Sequence, residues 1–164
     1  MYNPEKAHYI VATCILVRDG KFLIAKRAPT EKAFPNLWTV PGGTLESKDY
    51  KNRPCDTSCQ WYNIFEDVCK REVEEEVGIK VGKIKYLTSL IFIRPDNIPT
   101  LVASMFAYTN ESNVKLSEEL VDHAWVTLQE AKKYELIDGI YEELELLEKH
   151  LKGEALGEWS TKKS

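Results

Sequence analysis

Arg71-Glu72-Val73-Glu74-Glu75-Glu76-Val77-Gly78-Ile79 is the stretch that decides how this chain is read. Glu72, Glu75 and Glu76 stand at i, i+3 and i+4, a spacing that gathers their carboxylates onto one patch of a helix. Like charges so close repel, and an ordinary surface helix gains nothing from the arrangement. A divalent cation reverses the sign. Mg2+ is a hard ion that takes oxygen ligands and commonly bridges protein carboxylates to substrate phosphates. The competing reading is a solvated acidic face, the usual fate of a charge run.

The residues just upstream weigh against that bland reading. At roughly 100° of rotation per residue, Phe65, Val68 and Cys69 fall within about 60° of Glu72, as do Glu75 and Glu76. Asp67, Lys70 and Glu74 point the other way. One face is thus apolar in its first turns and acidic in its last. An apolar face must pack on something, so the carboxylates that continue it are drawn towards the protein body. Buried carboxylates without a partner are costly, and a bound cation removes the cost. The expected helix is Ile64–Val77, with Gly78 as a left-handed stop.

Ahead of the helix, the apolar run Leu37-Trp38-Thr39-Val40 leads into Pro41-Gly42-Gly43-Thr44-Leu45-Glu46. A strand ending in Pro-Gly-Gly leaves bare backbone where something approaches closely. Gly43, followed by Arg71-Glu72-Val73, Glu75-Glu76 and Gly78-Ile79, resembles the Nudix box, G-x5-E-x7-R-E-U-x-E-E-x-G-U with U aliphatic. The second half matches at every fixed position. The first half departs: about fourteen extra residues separate Gly43 from Arg71. Counting back from the helix puts Asn63 where the pattern has its first glutamate, a residue that is mainly structural in the family. The resemblance runs from about Ile10 to Leu151 and implies an α/β class fold, an α/β/α sandwich around a mixed β-sheet.

Length and composition are compatible with this. A chain of 164 residues can bury one full core. The expected organisation is a single domain over 1–155, an insertion at about 47–62, and a polar tail over 156–164. A net charge of −4 gives no electrostatic reason to bind long nucleic acid. It suits a small polyphosphate that arrives with Mg2+. The first residues lack the apolar run of a signal peptide, and no stretch approaches the ~20 apolar residues of a membrane span. The expected location is the cytoplasm, without membrane association; assembly as a homodimer is left open. Cys14 and Cys69 read as small core residues. Cys55 and Cys59 form a C-x3-C pair in the polar insertion; a zinc site there would need further ligands, and a cytosolic setting argues against a disulfide.

Along the chain, His8–Val17 and Lys21–Arg27 form a hairpin closed by Asp19-Gly20. Leu37–Val40 is a short strand, and 47–62 an irregular excursion. Two strands, Lys83–Ile93 and Thr100–Tyr108, flank a Pro-containing turn. A short strand His123–Val126 ends at Thr127, which with Glu130 forms a capping box opening a helix. A final helix near Ile137–Leu151 carries a leucine stripe for the core and stops at Gly153.

The resemblance implies the chemistry. Nudix enzymes hydrolyse a nucleoside diphosphate linked to a further group X, such as a nucleoside triphosphate or ADP-ribose. Cleaving a diphosphate bridge requires charge neutralisation and an activated water, which metal ions supply. The expected ligands of Mg2+, or of Mn2+ in its place, are Glu72, Glu75 and Glu76, joined by the carbonyl of Gly43 that the family implies. Arg71 orients a box glutamate. The general base is either a box glutamate or a residue of the downstream loop, where Glu118, Glu119 and Asp122 are candidates. Glu46 either reaches the metals or caps its loop. Arg27 is a candidate phosphate ligand and Trp38 a candidate stacking residue, with Phe34, Trp61 and Tyr62 as alternatives. Pro95, sixteen residues after Ile79, has a spacing associated in the family with ADP-ribose hydrolysis, and is equally a plain turn residue. Two other readings compete with the hydrolase. One is a non-catalytic Nudix domain that senses a nucleotide or nucleotide sugar; the intact box favours the enzyme. The other is an isoprenoid diphosphate isomerase, for which no convincing acid/base set is present.

Overall fold

The computed structural model describes residues 3–161. In chain order it contains β1 (Tyr9–Arg18), β2 (Lys21–Arg27), β3 (Trp38–Thr39), β4 (Gly42–Thr44), α1 (Lys48–Lys51), α2 (Ile64–Val77), β5 (Ile84–Ile93), β6 (Pro99–Tyr108), β7 (Leu120–Val126), α3 (Leu128–Ala131) and α4 (Ile140–Leu151). The hairpin of β1 and β2 closes over Asp19 and Gly20, both at positive φ, the conformation a two-residue turn needs to match strand twist.

The sheet is organised around β1. Along one edge it runs parallel to β6 from Tyr9 to Val17. Its other edge is shared in succession, by β4 opposite Val11–Thr13 and by β2 opposite Val17–Arg18. β5 pairs antiparallel with β6, and β2 pairs antiparallel with both β3 and β7. The result is a mixed sheet.

Strand periodicity sends alternate residues to opposite faces, and both faces are covered. Ala12, Cys14 and Leu16 of β1 and Ala103, Met105 and Ala107 of β6 pack with Val68, Cys69, Val73 and Val77 of α2. Ile15 and Val17 of β1, Phe22 and Ile24 of β2 and Phe106 of β6 pack with Ile140, Leu144 and Leu147 of α4. This is the α/β/α arrangement expected from the sequence.

The helix over the acidic stretch has the bounds expected, and Gly78 ends it at φ 69°. Other elements differ. Residues 42–44 form a strand, β4, because β1 offers them a free edge. The final helix starts at Ile140 rather than Ile137, since Gly139 is left-handed at φ 90° and Ile137 donates its N–H to Trp38 O. β7 begins at Leu120, three residues early, by pairing with Arg27. The insertion contains the short α1, and Trp61 packs on Tyr50 within it while Tyr62 is exposed. Neither ring plugs the core beneath α2. Thr127 and Glu130 form the capping box. Cys14 and Cys69 are buried, and Cys55 and Cys59 are exposed thiols. Of the tail, 162–164 lie outside the described residues. Among the described residues, no helix is long and apolar enough to cross a membrane.

Candidate active site

β4 and α2 meet at two glycines. A Cβ on Gly42 would lie 2.6 Å from the carbonyl oxygen of Ala12. A Cβ on Gly43 would lie 2.1 Å from Glu72 Oε1. Only bare backbone lets β4 seat on β1 and lets the Glu72 carboxylate close against it. The N–H of Gly42 also donates to Glu76 Oε2 at 2.9 Å. Two carboxylates of α2 are therefore pressed onto the Gly-Gly strand.

Their electrostatics follow from that burial. Glu76 is 5% exposed. Burial pushes its carboxyl up to about 8, the Gly42 N–H opposes this, and the negative charges of Glu72 and Glu119 add to it. Burial also raises Glu72, against the Arg71 guanidinium, which favours its charged form. Glu75 departs from the expected phasing. Its side chain is half-exposed and bonds to Arg71 Nη1 at 3.0 Å. Val73 and Val77 are buried as well, so the buried stripe is centred towards them and leaves Glu75 at its rim. Glu74 faces solvent beside Lys80.

Arg71 is the hub. Its Nη1 donates to Glu72 Oε1 at 2.7 Å, and its Nη2 to the carbonyl of Thr44 at 3.2 Å. Nε and Nη2 donate to Asp49 at 2.5 and 3.2 Å. Burial works against ionisation of the Asp49 carboxyl, yet the Arg71 bonds and the N–H of Glu46 hold it below its ordinary range. This corrects the alignment of the first half of the box. Asp49, not Asn63, stands as the acidic partner of the helix arginine. It lies six residues after Gly43, the pattern's own spacing, so the extra residues fall after it rather than before it. Counting forward from Gly43 as well as back from Arg71 would have found it. Asn63 is the left-handed residue that starts α2, at φ 58°.

The last turn of α2 fixes the downstream loop. Lys115 N–H donates to Val77 O and Ser117 N–H to Glu76 O, satisfying carbonyls that a helix end leaves free. Glu118 and Glu119 follow in the turn before β7, and both line the same cleft as Glu72 and Glu76. Asp122 is not among the cleft residues; its Oδ1 accepts the N–H of His123.

The cleft has a volume of about 1200 Å3. Arg27 lines it, with Nη2 on Glu31 at 2.6 Å and Nε on the carbonyl of Ala33. Glu46 lies at its rim, half-exposed beside Lys48; the loop is capped instead by Asp49, which accepts Glu46 N–H. Trp38 is turned away from the cleft. Its ring meets Tyr134 edge-on at 4.7 Å, because β3 is tied to 135–137 by hydrogen bonds on both sides. Phe34 does line the cleft, held there at φ 52° with its ring 6.1 Å from that of Phe92.

Comparison with known proteins bears on this geometry. The NUDIX domain family model matches residues 8–147. This chain belongs to the NUDIX family. It is a Nudix hydrolase, the class that acts on nucleotide diphosphate linkages. The nucleoside triphosphatase NudI of Escherichia coli is 25% identical over 135 residues, covering 75% of this chain and 85% of that protein. The MutT NUDIX hydrolase of Burkholderia pseudomallei superimposes with a TM-score of 0.68 at 20% identity, over 87% of this chain and 99% of that one. The NUDIX domain of Shewanella oneidensis NrtR complexed with ADP ribose gives a TM-score of 0.69 at 19% identity, over 92% and 94%. At these identities the structural likenesses speak for the Nudix fold alone.

The cleft gathers carboxylate oxygens with no sulfur or imidazole among its lining residues, the donor type a hard cation takes. Burial raises the carboxyls of Glu72 and Glu76, a cost that a cation beside them would offset. Among the described residues, no group of three or more His, Cys, Asp or Glu side chains is placed to hold a metal ion as it stands. Arg71 spans Glu72 and Glu75.

Proposed function

We propose that this protein is a Mg2+-dependent hydrolase that cleaves the diphosphate linkage of a nucleoside diphosphate joined to a further group X, with Mn2+ as an alternative ion. The observation that carries the reading is the pair of buried carboxylates, Glu72 and Glu76, pressed onto the Gly42-Gly43 strand at a large cleft. The likeness to the nucleoside triphosphatase NudI supports a nucleotide as substrate.

Glu72, Glu75 and Glu76, with the backbone of Gly43, would hold the ion. When bound, it supplies charge neutralisation at the phosphates and a more acidic water. Arg71 orients Glu72 and keeps its carboxylate aimed at β4. Glu119, on the loop that α2 anchors, is the candidate to accept the proton of the attacking water. Arg27, Lys32 and Arg94 line the cleft and provide positive charge for the phosphates that leave with the product.

The deciding experiment is phosphate and nucleotide release from a panel of nucleoside triphosphates, ADP-ribose and dinucleoside polyphosphates, with Mg2+ or with EDTA. Turnover of at least one member with Mg2+ and none with EDTA is expected. Full turnover in chelator would overturn the metal assignment. Binding of a nucleotide without turnover under every ion condition would favour the sensing domain.

A further inference from the structure

The cleft extends beyond the carboxylates, over the face of the sheet that α4 covers. Register fixes what lies there. Thr13 of β1 is opposite Ser104 of β6 and Val11 opposite Val102; Leu90 of β5 is opposite Val102 and Phe92 opposite Thr100. Val11, Val102 and Leu90 thus form a flat apolar floor, with the Phe34–Phe92 pair at its outer end. At the inner end the floor stops at a polar group. Glu143 of α4, 7% exposed, binds Ser104 Oγ through Oε2 at 2.6 Å. Ser104 is the one hydrogen-bond partner the described residues give that carboxyl, so Oε1 is left without one. Beside it, the buried Thr13 Oγ1 also has no partner.

The side chain is buried as a whole, but its unpaired Oε1 keeps contact with the open cleft, where it can accept a donor from a ligand. A structural tie between α4 and β6 needs only a hydroxyl or an amide. This one lines a cleft, beside an apolar floor that suits a planar ring. Gly42, on which Glu76 rests, pairs with Thr13, which pairs with Ser104. The backbones of Gly42 and Ser104 are therefore two strand spacings apart, roughly 10 Å, and Glu76 and Glu143 line one continuous cleft.

We propose that Glu143, held by Ser104, is a specificity-determining residue that accepts an N–H from the exocyclic amino group of a nucleobase lying on the Val11–Val102–Leu90 floor. The inference rests on the nucleotide reading above and adds the substrate class: amino-bearing bases, adenine above all, over bases that lack the group. Oε1 accepts such a donor whether the carboxyl is ionised or protonated. Burial raises this carboxyl's pKa, against the bond from Ser104.

The test is binding, not turnover. The affinity of the intact protein for AMP is compared with that for purine riboside 5′-monophosphate, which lacks only the amino group, by calorimetric titration. AMP is expected to bind about tenfold more tightly, the worth of one hydrogen bond to a buried charged or polar acceptor. In Glu143→Leu the difference should vanish. Equal affinities in the unmodified protein would overturn the proposal, and this comparison needs no variant to fold. Retention of the full difference in a Glu143→Leu variant with a cooperative melt would also overturn it and leave Glu143 as a structural tie. Nucleoside triphosphate hydrolysis, measured in parallel, separates the two readings. Discrimination without hydrolysis keeps the subsite and removes the enzymatic reading; hydrolysis without discrimination does the reverse.

Discussion

Asp49 and Arg71, 22 positions apart in sequence, share two hydrogen bonds and bury the ion pair, with side chains 2% and 17% exposed. The pair joins the loop after the Gly-Gly strand to the acidic helix. It also leaves Arg71 Nη1 free to hold Glu72 and Glu75. Removing Asp49 should therefore disturb both stability and catalysis. Asp49→Ala is expected to lose about 1.5–3 kcal/mol, the range for hydrogen bonds to charged groups, and to lower kcat while leaving KM nearly unchanged. Asp49→Glu should recover part of both. Thermal melts and steady-state kinetics on the two variants check this. An unchanged melt for Asp49→Ala would mean that the pair holds nothing together.

Substitutions on α2 should follow burial rather than sequence spacing. Glu72→Gln and Glu76→Gln are expected to lower kcat by at least about a hundredfold, since lost charge at a metal site is worth several kcal/mol. Glu74→Gln, on the solvent side beside Lys80, should be nearly silent. Comparable losses at Glu74 and Glu76 in kinetic assays would refute the phasing.

The raised carboxyl of Glu76 gives the metal-free protein a pH dependence of definite sign. Between its ordinary value of 4.5 and about 8, the folded chain holds a proton that the unfolded chain has released. Stability therefore falls as pH rises through this window. Glu72 and Glu143 are raised as well and act in the same direction. Asp49 is lowered, so its contribution is lost only as pH falls below the usual carboxylate range. The melting temperature in EDTA should be lower at pH 8 than at pH 5.5, and Glu76→Gln should flatten the slope. A melting temperature that rises over this interval would contradict the burial of Glu76.

The insertion holds itself together. Arg53 bonds Asp56, Asp67 and the carbonyl of Tyr62, and Trp61 packs on Tyr50. Of the residues between 47 and 62, only Lys48 lines the cleft. Replacing 52–61 with a short Gly-containing turn, with Asp49 retained, is therefore expected to leave substrate selectivity unchanged at a modest loss of stability. A melt and the substrate panel on that variant are the measurement. A changed order of preferred substrates would mean that the insertion helps to select the substrate.

The parts legible in the sequence are those set by neighbours along the chain. The bounds of α2, its Gly78 stop, the Asp19-Gly20 hairpin and the Thr127–Glu130 box each depend on residues within a few positions of one another. Their backbone geometry is chosen by local sterics and local hydrogen bonds, and so the residue types announce it. The turn over which α2 shifts from apolar to acidic was legible for the same reason.

Tertiary structure decided everything that depends on partners distant in sequence. Three-residue β4 exists because β1 has an open edge beside it, and nothing in Gly42-Gly43-Thr44 specifies a strand. Trp38 faces Tyr134 rather than the cleft because β3 is clasped by 135–137. Glu75 is at the rim because Val73 and Val77 claim the buried stripe, a competition between side chains on one helix that only the packed sheet resolves. Asp49 reaches Arg71, and Glu143 reaches Ser104, across spans of chain that no local pattern bridges. Short-range propensity selects the elements; the burial of charge and the pairing of strand edges select which of their side chains meet.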